Sequence, residues 1–230
     1  MILLLILFIL LFERNIVWGK LLLYYEIFYG PLKLGESKII VSNKEYKAIA
    51  YTTKLGDLLY PYYSEWTTTI NEKNYPLTSI IYSKDRFKER KKIIYFEQKK
   101  NEVIVEKILP KPKKISYQIP SPIFDELSSF VYSWKLDYFN KNDYQLPIYI
   151  DGERHFVYIK YSSVINCKFN NQTQECINLL IHLPEKSELL KRSKNVQIFL
   201  LKKDRIPIEI MGSLPIFGNL RAILKEVKNL

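Results

Sequence analysis

"SPIFDELSSFVYSW", residues 121–134, is the one stretch of this chain that reads as an amphipathic helix. Ile123, Phe124, Leu127, Phe130, Val131 and Trp134 recur at helical spacing and share one face, while Asp125, Glu126, Ser128, Ser129 and Ser133 take the other. Ser121 suits the cap and Pro122 the first helical position, where a missing N–H costs nothing. Burying such an apolar stripe contributes on the order of 10 kcal/mol before entropy is counted. The helix is therefore expected to cover the concave face of a sheet.

The flanking sequence supplies that sheet. From Leu21 onward, short runs rich in β-branched and aromatic residues alternate with turns, as in "SKIIVSN", "YKAIAYTT", "SEWTTTIN", "LTSIIYS", "KKIIYFEQ" and "EVIVEKI". Asp151-Gly152 lies between two such runs and is the strongest hairpin signal, because a two-residue primed turn needs positive φ at both positions. "CINLLIHL", "VQIFLLKK" and "IPIEIMGS" continue the pattern, and "LRAILKEVKNL" reads as a final strand or a short helix. A proline-rich passage with Pro110, Pro112, Pro120 and Pro122 is expected as a surface connector near 110–122, since proline lacks the donor a central strand needs. The fold class expected is all-β: an antiparallel curved sheet or partly closed barrel or sandwich, with one short amphipathic helix packed on it. Residues 20–230 are read as a single β-rich domain.

Composition agrees. Hydrophobic residues make up 47% of the 230, aromatics 14%, and there are 18 Tyr against 7 Gly. That excludes disordered and fibrous chains. The formal charge is +11, with Lys spread along the whole chain, which fits a solvated surface and anionic partners in general.

"MILLLILFILLF" at residues 1–12 carries no charge. It is too short for a spanning helix and fits the apolar region of an export signal, so residues 1–19 are read as a signal peptide, with an uncleaved N-terminal membrane anchor as the alternative. Periplasmic or cell-envelope location is the expectation. Cys167 and Cys176 flank "KFNNQTQE", a polar stretch with turn-forming Asn170 and Asn171, and in an oxidising compartment they are expected to pair across a hairpin. With His155 and His182 the only histidines, neither at zinc spacing from a cysteine, no metal site is read, and no cofactor motif or catalytic constellation either.

Taken together, "YYEIFYGPLKLGES", "YPLTSIIYSKDRFKERKKIIYFEQ", "PSPIFDELSSFVYSWKL" and "FLLKKDRIPIEI" followed by Gly218 resemble, in order and spacing, the exported bacterial proteins grouped as domain of unknown function 3108. The resemblance runs across nearly all of Leu21 to Leu224. It implies a mostly β protein of the envelope and no established activity. Where family members often carry Arg near the end of the helix, this chain has Trp134-Lys135, so no role for such a cation carries over.

Four sets of residues bear on chemistry. Asp125 and Glu126 are adjacent carboxylates near a helix start, where the dipole favours them and where adjacent side chains diverge too far for a glycosidase pair. "SKDRFKERKKIIYF" read as a strand places Arg86, Lys88, Arg90 and Lys92 on one face as a cationic stripe. Asp204 and Arg205 fall at a turn, as an ion pair fixing a hairpin. The cysteines form the fourth set. The function expected is non-enzymatic: binding or scaffolding an apolar or amphiphilic envelope component such as a lipid, lipoprotein or glycan, close to a membrane. A hydrolase acting on envelope glycan or lipid and a binder of anionic polymers are the alternatives, with nucleic acid disfavoured because export removes it.

Overall fold

A computed structural model describes residues 19–185, 187, 195–214 and 218–230. The expected export signal lies, apart from Gly19, outside the described residues. The chain opens with β1 (Leu21–Tyr29), β2 (Leu32–Val41) and β3 (Glu45–Thr52), then a short helix α1 (Lys54–Leu59). Next come β4 (Tyr62–Ile70), β5 (Pro76–Asp85), β6 (Glu89–Glu97), β7 (Glu102–Leu109) and β8 (Lys113–Gln118). Helix α2 (Glu126–Ser133) follows, and then β9 (Asp143–Ile150), β10 (Glu153–Phe169), β11 (Gln172–His182), β12 (Asn195–Leu201), β13 (Pro207–Leu214) and β14 (Gly218–Asn229).

The fourteen strands among the described residues form one antiparallel sheet in the order β8-β7-β6-β5-β4-β3-β2-β1-β14-β13-β12-β11-β10-β9. Two meanders are thus joined where β1 pairs with β14, Leu21 opposite Asn229 and Tyr29 opposite Leu220. The turns follow from their residues. Asp151 and Gly152 have φ of 47° and 93°, and Asn170 and Asn171 have 50° and 59°, the left-handed pair a primed two-residue turn requires. Alternate strand residues face the core, as in the buried Val157 and Ile159 flanking exposed Tyr158.

The two edges, β8 and β9, are consecutive in sequence, and the chain between them crosses the gap. Ile119 donates to the carbonyl of Asn101, and the side chain of Gln98 clamps Ile123 from both sides, its Nε2 donating to the Ile123 carbonyl (2.8 Å) and its Oε1 accepting from the Ile123 N–H (3.2 Å). Phe124 then pairs in parallel with Ile148, donating to the Pro147 carbonyl while its own carbonyl accepts from the Tyr149 N–H. Tyr117 of β8 and Tyr149 of β9 face each other with ring centroids 6.1 Å apart. The sheet is curled and almost shut; this crossing segment seals it in place of a ladder.

Three expectations change. Residues 110–122 are not a plain connector: Lys113–Gln118 form edge strand β8, paired to β7 from Lys107↔Lys113 to Glu102↔Gln118, with every proline outside the strand, as an edge tolerates. Helix α2 starts later than expected, capped by Asp125 rather than Ser121. A second helix, α1, is present in addition to the single helix that was expected.

Candidate functional site

Helix α2 lies in the core. Ile123, Phe124, Leu127, Val131 and Trp134 are buried as expected, but so are Asp125, Glu126, Ser128, Ser129 and Ser133. The polar side of the helix is enclosed rather than solvated, because the sheet curls round it. Asp125 and the three serines each find a hydrogen bond nearby. Ser129 and Ser133 hydroxyls donate to the carbonyls of Glu126 (2.9 Å) and Phe130 (2.6 Å), the back-bonding that lets a helical serine enter a core.

Asp125 does more than cap. One carboxylate oxygen accepts from the Ser128 N–H (2.5 Å) while the Ser128 hydroxyl accepts from the Asp125 N–H (3.1 Å), a reciprocal capping box. The other oxygen accepts from Thr68 of β4 (2.5 Å) and from Ser79 of β5. It is an anchor fixing the helix to the sheet. Both oxygens are engaged, which leaves Asp125 unsuited to acid–base chemistry with Glu126. Above this anchor, the Lys135 ammonium reaches Asn74 Oδ1 (2.8 Å) and the hydroxyl of buried Tyr46 (3.4 Å). Burial lowers the Lys135 pKa, and burial together with the nearby Asp125 charge pushes the Tyr46 hydroxyl up.

Beside α2 a cavity of ≈ 50 Å³ is lined by Glu126, Ser129 and Ser133 on one side and by apolar residues such as Ile148, Ile159 and Ile198 on the other. That is room for a few waters and about a third of the ~150 Å³ that admits benzene. A carrier cavity for an acyl chain is not formed there.

The other sites differ from expectation as well. Arg86 and Lys88 lie in the β5–β6 turn, where Asp85 accepts from the N–H groups of Phe87 and Lys88 (2.8 Å each), so only Arg90 and Lys92 share a strand face and no four-residue stripe exists. Arg205 (φ 56°) makes no ion pair with Asp204. Its guanidinium donates to the Leu136 carbonyl (3.2 Å) and lies over the rings of Tyr138 and Phe139, at 5.9 and 5.5 Å, and burial lowers its pKa. It pins the end of the helical segment. Cys167 and Cys176 sit diagonally across the β10–β11 hairpin at disulfide distance, Cα atoms 5.9 Å apart. Among the described residues no cluster of His, Cys, Asp or Glu could hold a metal, and no helix is long and apolar enough to cross a membrane.

The groove that remains was not foreseen. On the outer face of β9–β14, an open groove of ≈ 610 Å³ is lined by Tyr158 and Lys160 of β10, Leu180 of β11, Gln197 of β12 and Met211 of β13. The registers Lys160↔Leu180, Leu180↔Gln197 and Gln197↔Met211 put these side chains in one row, with Asp143 opposite Lys160 at one end. Tyr158 and Leu180 are 52% and 45% exposed, large for an aromatic and a leucine. His182 hydrogen-bonds Asn195 at the rim (3.0 Å). An apolar floor with charged and amide groups at its edges, in the ~300–1,000 Å³ range of ligand sites, provides contact area and hydrogen bonds. The weak signal for it was apolar residues on both faces of "CINLLIHL".

A family model described as protein of unknown function, DUF3108, matches residues 24–225, and the chain belongs to that family. No curated protein matches. Among solved structures, the chain is similar to a β-barrel-like protein of domain of unknown function DUF1849 from Brucella abortus, at 9% identity and TM-score 0.65, covering 92% of this chain and 98% of that one. A DUF1329 family protein from Desulfovibrio piger aligns over 92% of this chain and 86% of that one, at 9% identity and TM-score 0.27. The first likeness extends to the fold alone.

Proposed function

We propose that this member of the DUF3108 family is an exported, non-enzymatic protein of the cell envelope that binds an amphiphilic envelope component on the outside of its curled sheet. The observation that carries the reading is the groove of ≈ 610 Å³ over β9–β14, where Tyr158, Leu180 and Met211 offer apolar contact between Asp143, Lys160 and Gln197. The ligand class is a molecule with an apolar body and a polar or charged head. The cavity of ≈ 50 Å³ beside α2 is too small for an acyl chain, which favours the outer surface over a lumen there. Export is supported by the uncharged run at residues 1–12 and by the cysteine pair at disulfide distance, which suits an oxidising compartment.

Native mass spectrometry of the protein purified from its own cells tests this. A bound amphiphile is expected on the wild type and is lost in Leu180→Glu, whose side chain is exposed and carries little of the fold. A ligand-free wild type, or a Leu180→Glu variant that keeps the ligand, overturns the groove. N-terminal sequencing of the same preparation is expected not to find Met1; finding it overturns cleavage.

A further inference from the structure

At one end of the first meander the connections after β1, β3, β5 and β7 stand side by side, because the strands that lead into them are neighbours in an up-and-down order. With ~4.8 Å between strands they form a rim about 30 Å long. Helix α1 fills part of it and is pressed onto β2 through its backbone: a Cβ on Gly56 would lie 2.0 Å from the Leu34 carbonyl oxygen. Gly56 is the one buried residue of α1, so its leucines turn outward. Leu58 is 77% exposed and Leu59 61%, and Phe87 at the tip of the β5–β6 turn is 76% exposed. That turn sits beside α1, since Tyr62, just after the helix, pairs with Asp85. Three large apolar side chains at the summit of one rim, with exposed Tyr60 and Tyr62 behind them, form a patch rather than scattered exposure.

The charges around the patch sum to positive, six Lys and Arg side chains against three acids. The acids keep their charge while hydrogen-bonded within the rim: Asp57 accepts from the Thr52 hydroxyl (2.5 Å), Asp85 closes its own turn, and Glu89 accepts from the Tyr82 hydroxyl (2.9 Å). Lys54, Arg86, Lys88 and Arg90 are exposed, and none is in an ion pair among the described residues. Lys111 and Lys113 add to them at the β7–β8 turn. We infer that this rim rests on a lipid bilayer carrying anionic headgroups, Leu58, Leu59 and Phe87 entering the acyl boundary while the cations meet the phosphates. Apolar tips surrounded by unpaired cations are the complement of such a surface. A second copy would bring like charges together, and an anionic polymer would make no use of the leucines. The inference goes beyond the groove reading and does not rest on it, since the groove lies over the other meander.

The test is local to the rim. In the full chain, Phe87→Trp is mixed with vesicles of equimolar phosphatidylglycerol and phosphatidylcholine whose acyl chains are brominated, and emission from the introduced tryptophan is compared with the wild-type background. Quenching is expected on these vesicles and not on phosphatidylcholine alone, and Lys73→Trp, exposed in the β4–β5 turn at the opposite end of the meander, is expected to stay unquenched. Because the readout reports residue 87, attachment through another part of the chain does not imitate it. Arg86→Ser, Lys88→Ser and Arg90→Ser together are expected to weaken binding roughly 100-fold, at about fivefold per cation. Leu58→Ser with Leu59→Ser is expected to weaken it at least ~10-fold, with an unchanged melting curve, as for exposed side chains. An unquenched residue 87 overturns the proposal. So does binding that needs the cations and ignores the leucines, which marks a polymer surface, or a leucine effect on self-association alone. Quenching at residue 73 instead would overturn the rim without bearing on the groove.

Discussion

Replacing Asp125 with alanine removes an anchor with two separable parts. The cap on Ser128 is worth ~1 kcal/mol. On the other side, Thr68 and Ser79 lose their shared acceptor, but their oxygens are 3.1 Å apart, so one hydroxyl can still donate to the other. A single buried donor is left without a partner, costing ~1–3 kcal/mol. Asp125→Ala should therefore destabilise the protein by ~2–4 kcal/mol, a large share of the ~5–15 kcal/mol typical of a domain. Asp125→Asn keeps the cap, and its amide can donate to a rotated hydroxyl, so its loss should be nearer ~1 kcal/mol. Urea denaturation followed by circular dichroism, compared at constant m, measures both. Thr68→Val should cost less in the Asp125→Ala background than alone, since the two share one network. An alanine variant within ~1 kcal/mol of wild type, or an asparagine variant equal to alanine, would refute the anchor.

Other expectations are equally direct. Cys167→Ser with Cys176→Ser closes no loop and should cost somewhat under ~3 kcal/mol by chain entropy; a reductant should lower wild-type stability by a similar amount and leave the double variant unmoved. Lys33, then Tyr51, hydrogen-bond Glu36 and lower its pKa from 4.5 to about 2. The unfolded carboxyl therefore binds more protons in that window, so the stability from this group is present above pH 4.5 and lost as pH falls toward 2. Glu36→Gln should flatten the stability–pH slope there. Gly56→Ala should destabilise by ~1–3 kcal/mol as backbone must move, and a calorimetric melt unchanged from wild type would show that α1 is not pressed on β2.

Which parts of this were legible in the sequence follows from the range of the forces. Asp151-Gly152 and Asn170-Asn171 declare their turns because positive φ is a local demand. The apolar stripe from Ile123 to Trp134 declares its burial because helical spacing is local too. The fate of Ser128, Ser129 and Ser133 is set elsewhere, by a sheet that curls fully round the helix, and back-bonding to the preceding turn leaves no mark in composition. Arg86 and Lys88 were misplaced because "SKDRFKER" runs polar on both sides of its turn; Asp85 followed by two N–H groups to accept was the available clue. The groove depends on five strands keeping one row of side chains in register, a property of pairing that no single run contains.

The N–H of Leu230 donates to the carbonyl of Lys20 at 2.7 Å, so the first and last described strands meet side by side at mid-sheet. Splicing those two ends and opening the chain in the crossing between α2 and β9 would give an order β9 through β14 followed by β1 through β8. Every strand would then neighbour its successor, leaving a plain serpentine in which the Phe124–Ile148 bridge is the pairing left between distant parts of the polypeptide. In the present order the β1–β14 ladder joins residues as far apart as Leu21 and Asn229. Closing so long a loop carries the largest entropy cost of any pairing in the sheet, which is a matter of connectivity rather than of residue type.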